Sequence, residues 1–179
     1  LVQKKAKNFR INVNGKLATG VTSKDVVLQI IGKIGTAGGT GYVIEYAGSL
    51  ISDLSVEQRM TICNMTIEGG ARAGLIQPDQ KIFDYLKNKP MSPKNQNWSK
   101  ALDYWHTLKT DNEAEFDKEI NLSANDIVPM VTWGTSPQDV VSIDGRVPNP
   151  NNESDIDKKN SINRSLKYMG LKADIPMKE

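Results

Sequence analysis

The stretch Gly38-Gly39-Thr40-Gly41-Tyr42-Val43-Ile44-Glu45-Tyr46-Ala47-Gly48, together with the segment that follows it, decides the fold of this chain. Its glycines permit a tight turn, and the β-branched and aromatic residues after the turn favour a strand. Ser55 and Gln58 then have the spacing of a capping box, which marks the start of a helix. We predict that this helix runs from Ser55 to Glu68 and ends at Gly69-Gly70.

Two stripes run along the predicted helix. Apolar residues recur at helical spacing and are expected to face the core: Val56, Met60, Cys63 and Ile67. Asn64 and Glu68 are one turn apart on the neighbouring polar stripe, so their side chains are expected to project side by side. On the residues alone, a solvated surface is the default interpretation of such a stripe.

Helices and short strands alternate along the rest of the chain, which predicts an α/β fold. Further helices are expected at 22–35, 78–89, 98–108 and near 162–169, and strands at 9–13, 42–46, 116–122 and 127–133, with a short strand or turn at 71–75. The Pro- and Asn-rich stretch 147–152 reads as a loop. We therefore predict one domain over 1–146, followed by a linker and helix over 147–179.

Composition excludes several classes of function. The net charge is +2 and the basic clusters are short, so neither nucleic acid nor an anionic membrane is an expected partner. No apolar run reaches the roughly 18–20 residues that span a bilayer. Cys63 is the only cysteine, which suits the cytoplasm, and it is expected to pack as a small core hydrophobe. The single histidine, His106, has no catalytic partner pattern near it and is expected to be a surface or satisfied residue.

Four separated segments occur in the chain in this order: GGTGYVIEYAG, SVEQRMTICNMTIEGGARAG, VTWGTSPQDV and SLKYMGLKADIP. Such a series is a more specific signal than a single glycine-rich loop. In these segments the chain resembles the aconitase superfamily, and within it the large subunits of the isopropylmalate dehydratases. The resemblance implies a three-layer α/β/α domain, the second of three similar domains, with a C-terminal connecting segment. It also implies that Asn64 and Glu68 are catalytic residues near the open iron of a [4Fe–4S] cluster.

The segment from Trp133 to Pro137 is a second candidate site, because a strand that ends in a Gly-Thr-Ser turn directs donors and a flat ring at one place. We expect Trp133, Thr135 and Ser136 to bind substrate or face an interface. Arg72 is a further candidate, since a guanidinium can clamp a carboxylate; alternatively it is a solvated arginine beyond the helix end.

One cysteine and one histidine cannot hold an iron–sulfur cluster. The resemblance implies that the cluster cysteines lie in S-C-T-N and G-C-x-x-C segments, which this chain lacks. We therefore expect an internal part of a longer protein, with no metal ligand in this chain and no activity by itself.

The resemblance also implies a reaction and a partner. The reaction is the dehydration and rehydration of a small hydroxy acid, and the partner is a small subunit that supplies a catalytic serine. Two alternatives remain open: a sister hydro-lyase, such as homoaconitase or methylmalate dehydratase, and a non-catalytic scaffold domain.

Overall fold

A computed structural model describes residues 2–178. The strands are β1 (Lys7–Asn14), β2 (Tyr42–Ala47), β3 (Ala73–Leu75), β4 (Lys118–Ser123), β5 (Met130–Thr132) and β6 (Val140–Ser142). The α-helices are α1 (Ser23–Ile34), α2 (Ser49–Asp53), α3 (Val56–Asn64), α4 (Gln80–Leu86), α5 (Gln96–His106) and α6 (Ile156–Met169). Short 3-10 turns cover Met65–Gly69, Ala124–Asp126 and Pro150–Asn152.

The main sheet has the strand order β3-β2-β1-β4, and every neighbouring pair is parallel. Consecutive strands β1, β2 and β3 step in one direction, so right-handed crossovers place α1 and α3 on the same face, where they contact each other. The predicted α/β class is confirmed: a parallel sheet is flanked by helices.

The two faces of this sheet differ in polarity. Alternate residues of β1 and β2 are buried beneath α1 and α3: Phe9, Ile11, Val13, Ile44 and Tyr46. The opposite face carries Arg10, whose Nε lies 3.6 Å from Oε1 of Glu45. Residues 109–116 cross this face, because the Thr110 hydroxyl donates to Glu45 at 2.6 Å and Phe116 lies against Arg10.

The glycine turn before β2 packs directly against the end of the following helical segment. The Gly39 N–H donates to the Gly69 carbonyl at 2.8 Å. A Cβ on Gly39 would lie 2.8 Å from Ala71 Cβ, so only glycine permits this approach. The turn therefore fixes the start of β2 against the segment that follows α3.

The predicted capping box at Ser55 and Gln58 is confirmed, but the predicted buried face of α3 is wrong. Met60 is 45% exposed and Ile67 is 73% exposed. The buried side chains are instead Arg59, Ile62 and Thr66. A charged residue is tolerated there because Nη2 of Arg59 donates to Asp79 at 2.6 Å and to the Ser52 carbonyl at 2.8 Å.

Helix α5 is less buried than its amphipathic pattern predicts. None of its residues is fully buried. Its rings form a partly exposed cluster on α4, with Trp105 stacked on Phe83 at 5.9 Å and Trp98 edge-on to Trp105 at 5.7 Å. His106 is exposed, as expected, and meets the edge of Phe83.

A second hydrophobic cluster lies outside the main core. Strands β5 and β6 form an antiparallel pair, and Trp133, Val147 and Leu166 are buried beside it. The predicted strand 127–133 is thus only three residues long, and β6 was missed. Ile127 belongs to the main core and Trp133 to the second cluster. The predicted boundary after 146 stays a prediction, although Val147 packs against residues on both sides of it.

Candidate functional site

An open cleft of about 1090 Å³ separates the second cluster from the helices of the main body. One wall is formed by α1 and the 3-10 turn Met65–Gly69. The other wall is formed by β5, the turn after it and α6. The cleft therefore joins two segments that the sequence marked as candidate sites.

Glu68 enters the cleft from the 3-10 turn. The turn is fixed by buried Thr66, whose hydroxyl donates to the Ile62 carbonyl at 3.0 Å and lies 2.9 Å from the Tyr46 hydroxyl. Oε2 of Glu68 is buried, and no hydrogen-bond partner for it exists among residues 2–178. A buried carboxylate oxygen without a donor is costly, and such groups mark functional positions.

Thr135 and Ser136 line the opposite wall of the cleft. Their turn is organised by Asp139, whose Oδ2 accepts from the Thr135 N–H at 3.0 Å and the Ser136 N–H at 3.2 Å. A Cβ on Gly134 would overlap the same Oδ2, so the turn closes tightly around this carboxylate. Oε1 of Gln138 then accepts from the Thr36 N–H at 3.0 Å and joins the turn to the end of α1.

Helix α6 completes this wall. Ser165 is buried, and its hydroxyl donates to Oδ2 of Asp139 at 3.3 Å and lies 3.2 Å from the Thr135 hydroxyl. Ser161 and Arg164 line the cleft from the same helix. Hydroxyl and guanidinium groups thus face Glu68 across a space large enough for a small organic acid.

The whole of residues 1–179 matches the family model named Aconitase, described as the aconitase family (aconitate hydratase). The chain belongs to the aconitase family. This is a family of hydro-lyases, which add or remove water across a carbon–carbon bond. The α/β fold, with its parallel sheet flanked by helices, agrees with that membership.

Within this aconitase-family chain, the predicted side-by-side arrangement of Asn64 and Glu68 is wrong. The α-helix ends at Asn64 and continues as a 3-10 turn. A 3-10 turn has three residues per turn, so residues four apart no longer share a face. Asn64 is exposed and does not line the cleft, whereas Glu68 is half-buried and does.

The remaining predicted binding residues are not all brought together. Arg72 is exposed, and its Nη1 donates to the Lys4 carbonyl at 2.6 Å, away from the cleft. Trp133 is buried in the second cluster and does not line the cleft. Only Thr135 and Ser136 of the predicted binding set share the cleft with Glu68.

Sequence reasoning assigned no role in the site to Asp139 or Ser165, and it identified Asp25 only as the capping partner of Thr22, which the structure confirms. Oδ1 of Asp25 accepts from the Met130 N–H at 2.8 Å, which holds β5 against the start of α1. Burial acts to raise the pKa of Asp25, but hydrogen bonds from Met130 and Thr22 outweigh it and lower this pKa below its usual value. The spacing of Ser161 and Ser165, one helical turn apart, was the only sequence signal for the α6 wall.

Cys63 is the one thiol that the sequence offers as a possible metal ligand. Cys63 is half-buried, and burial raises the pKa of its thiol above the usual value. No group of three or more His, Cys, Asp or Glu side chains within the described range is arranged to hold a metal ion. None of the helices between residues 2 and 178 is long and apolar enough to cross a bilayer.

Proposed function

We propose that this chain carries part of the active site of a hydro-lyase that interconverts 2-isopropylmalate and 3-isopropylmalate through the unsaturated acid. The observation that carries the proposal is the buried, unpaired Oε2 of Glu68 at the wall of the cleft. Family membership supports hydro-lyase chemistry. The segments VTWGTSPQDV and SLKYMGLKADIP support the isopropylmalate dehydratase branch.

In this proposal Glu68 orients the substrate hydroxyl or exchanges a proton with it. A carboxylate within hydrogen-bond reach is a general acid or base for such a transfer. Thr135 and Ser136 bind the substrate from the facing wall, where the Ser136 hydroxyl is held near the Gln138 N–H at 3.4 Å. Asn64 stays a proposed catalytic residue, although its exposed side chain does not line this cleft, and Arg72 and Trp133 stay predicted binding residues.

The proposal places the [4Fe–4S] ligands outside these 179 residues, because one cysteine cannot supply them. A small subunit is the proposed partner, and it supplies the serine base that removes the carbon-bound proton. Taken alone, the chain is expected to be inactive. The lone cysteine supports a cytoplasmic location.

The test is Glu68→Gln in the complete enzyme, assayed anaerobically with its small partner. Loss of the carboxylate is expected to lower kcat by about 10²–10⁴-fold, the usual contribution of a general acid or base. Iron and sulfide content should stay equal to wild type. Glu113→Gln, at an exposed position away from the cleft, is the matched control and should retain full turnover. Equal turnover in both variants would refute the role of Glu68.

A sister hydro-lyase is the second candidate, because homoaconitase and methylmalate dehydratase share these segments. Much of the substrate side-chain recognition is expected in the small subunit, so the shared segments discriminate poorly between these enzymes. A non-catalytic scaffold is the third candidate, and it predicts no turnover of any hydroxy acid by the complete protein.

A further inference from the structure

A second, smaller cavity of about 100 Å³ lies apart from the cleft, at the carboxyl ends of β2 and β3. Ala47 and Gly48 enter it from the end of β2, and Ile76 and Gln77 from the residues after β3. In open parallel sheets, ligands bind outside the carboxyl ends of the strands. The cavity lies at that edge of the sheet, but beside β2 and β3 and not where the strand order reverses, between β1 and β4. A ligand is therefore inferred from the side chains that line the cavity.

Two arginines line this cavity from different directions. Arg10 comes from the polar face of β1, and Arg59 comes from α3. Arg59 is only 3% exposed, so its guanidinium is removed from bulk water. A buried guanidinium has five N–H donors to satisfy and no acceptor of its own.

Most of these donors have no protein acceptor. Nη2 of Arg59 reaches Asp79 and the Ser52 carbonyl, but its Nε and Nη1 have no hydrogen-bond partner in the described part of the chain. Nε of Arg10 is also buried without one, since Glu45 lies 3.6 Å away. Buried unpaired donors of this kind require an acceptor from outside the protein.

We propose that this cavity binds a small tetrahedral oxyanion, of which inorganic phosphate is the representative. A volume of about 100 Å³ accommodates one such ion. An oxyanion with acceptor oxygens on all sides matches two guanidinium groups that approach from different elements, and charge-assisted bonds from arginine to phosphate are strong. Lys81 adds positive charge nearby, because its Nζ donates to the carbonyls of Ser52 and Asp53.

The named side chains leave one positive charge in excess, that of Lys81, while the Asp79 carboxylate itself lines the cavity. Asp79 and Glu45 offset the two guanidinium charges, and the ammonium of Lys81 is bonded only to carbonyl oxygens in the hydrogen bonds formed by the described residues. Ordered water is the alternative occupant of a polar cavity of this size. The two occupants can be distinguished, because the stability of the protein rises with the concentration of a bound oxyanion but has no such dependence if only water fills the cavity.

The test is thermal unfolding of the chain in increasing phosphate, with ionic strength held constant by sodium chloride. Specific binding predicts a rise in Tm that saturates with phosphate concentration. Arg10→Gln should remove the saturable rise while the fold persists, because Arg10 is partly exposed. Lys100→Gln, an equal charge change at an exposed site on α5, is the control and should keep the rise.

A rise that stays linear with phosphate, or that is equal in Arg10→Gln, would overturn the proposal, since excluded kosmotropic ions stabilise any fold in that way. An acetate titration run in parallel distinguishes planar from tetrahedral ligands. Saturation by acetate without saturation by phosphate would likewise contradict the proposed chemistry. Calorimetric titration of phosphate into the wild type and Arg10→Gln gives a second readout that does not depend on unfolding.

Discussion

Gly48 links β2 to α2 with a φ of 104°, a backbone conformation that residues other than glycine rarely adopt. A Cβ at this position would overlap the Val13 carbonyl oxygen at the end of β1. Gly20 has a φ of 88° but nothing within 4 Å of the corresponding position. Alanine substitutions at the two glycines therefore distinguish the cost of backbone strain, which both share, from the cost of steric overlap, which only Gly48 has.

Gly48→Ala is expected to lower the free energy of unfolding by more than Gly20→Ala, and by more than about 1 kcal/mol, because strain and overlap add. Denaturant unfolding of both variants measures the difference. If both variants lose the same free energy of unfolding, the chain relieves the overlap between residue 48 and β1 at little cost.

Asp25 determines a pH-dependent part of the stability. Its pKa is lowered in the folded protein, so the stabilisation is fully present above the unfolded value near 3.8 and is lost as the pH falls through the lower folded value. Asp25→Asn is expected to cost about 1–2 kcal/mol at neutral pH and progressively less below about pH 4. Urea unfolding of the wild type and Asp25→Asn across pH 2–7 measures this cost, and Asp103→Asn, at an exposed position, is the control. A stability difference between Asp25→Asn and the wild type that does not change with pH would contradict the prediction.

Helix α3 shows at the scale of an element what the sequence could and could not predict. Its start follows from a local interaction, the capping box, and was predicted correctly. Its buried face depends on Asp79, twenty residues away in sequence, which neutralises Arg59. The 3-10 turn that follows it ends at Gly69, whose carbonyl accepts from the N–H of the distant Gly39. Non-local partners of this kind are not visible in hydrophobic periodicity, and so the position of Glu68 relative to Asn64 was mispredicted.

The candidate site likewise has residues that the sequence could identify and residues whose roles depend on distant partners. Glu68 was identified from the resemblance to the aconitase superfamily, Thr135 and Ser136 were identified from the turn after a predicted strand, and all three line the cleft. Asp139 and Ser165 were missed because their roles arise from a bond between a turn and a helix twenty-six residues apart. The short strands β5 and β6 were mispredicted because their pairing, and not their composition, defines them.

The capping box itself is testable at this scale. Ser55→Ala removes the acceptor for the Gln58 N–H, seen at 3.3 Å, and should lower the free energy of unfolding by about 0.5–2 kcal/mol. Ser99→Ala, at an exposed position inside α5, is the control and should be neutral or slightly stabilising, since alanine is the better helix former. Chemical denaturation of both variants gives the comparison, and equal effects would show that the cap contributes nothing to stability.

The whole molecule contains two apolar clusters on either side of the cleft. They are joined by the hydrogen bonds of Asp25 to Met130 and of Gln138 to Thr36. Among the described residues the second cluster buries fewer apolar side chains than the main core, so we expect the hairpin and α6 to open more readily than the parallel sheet.

Two matched substitutions test this division. Leu166→Ala in the second cluster and Ile62→Ala in the main core should each cost about 2–5 kcal/mol locally. Native-state hydrogen exchange should show that Leu166→Ala lowers protection in β5, β6 and α6 and leaves β1 and β2 protected. A uniform loss of protection along the chain would show that the two clusters unfold as one unit.

The most direct measurement of the proposed function is the turnover of the complete enzyme, with its small partner, on 2-isopropylmalate and on the substrates of homoaconitase and methylmalate dehydratase. We predict the highest kcat/KM for isopropylmalate, and loss of that activity in Glu68→Gln with retention in Glu113→Gln. Preference for another hydroxy acid would assign the chain to a sister enzyme. Absence of turnover with every substrate, in a preparation with a full cluster, would contradict the catalytic proposal.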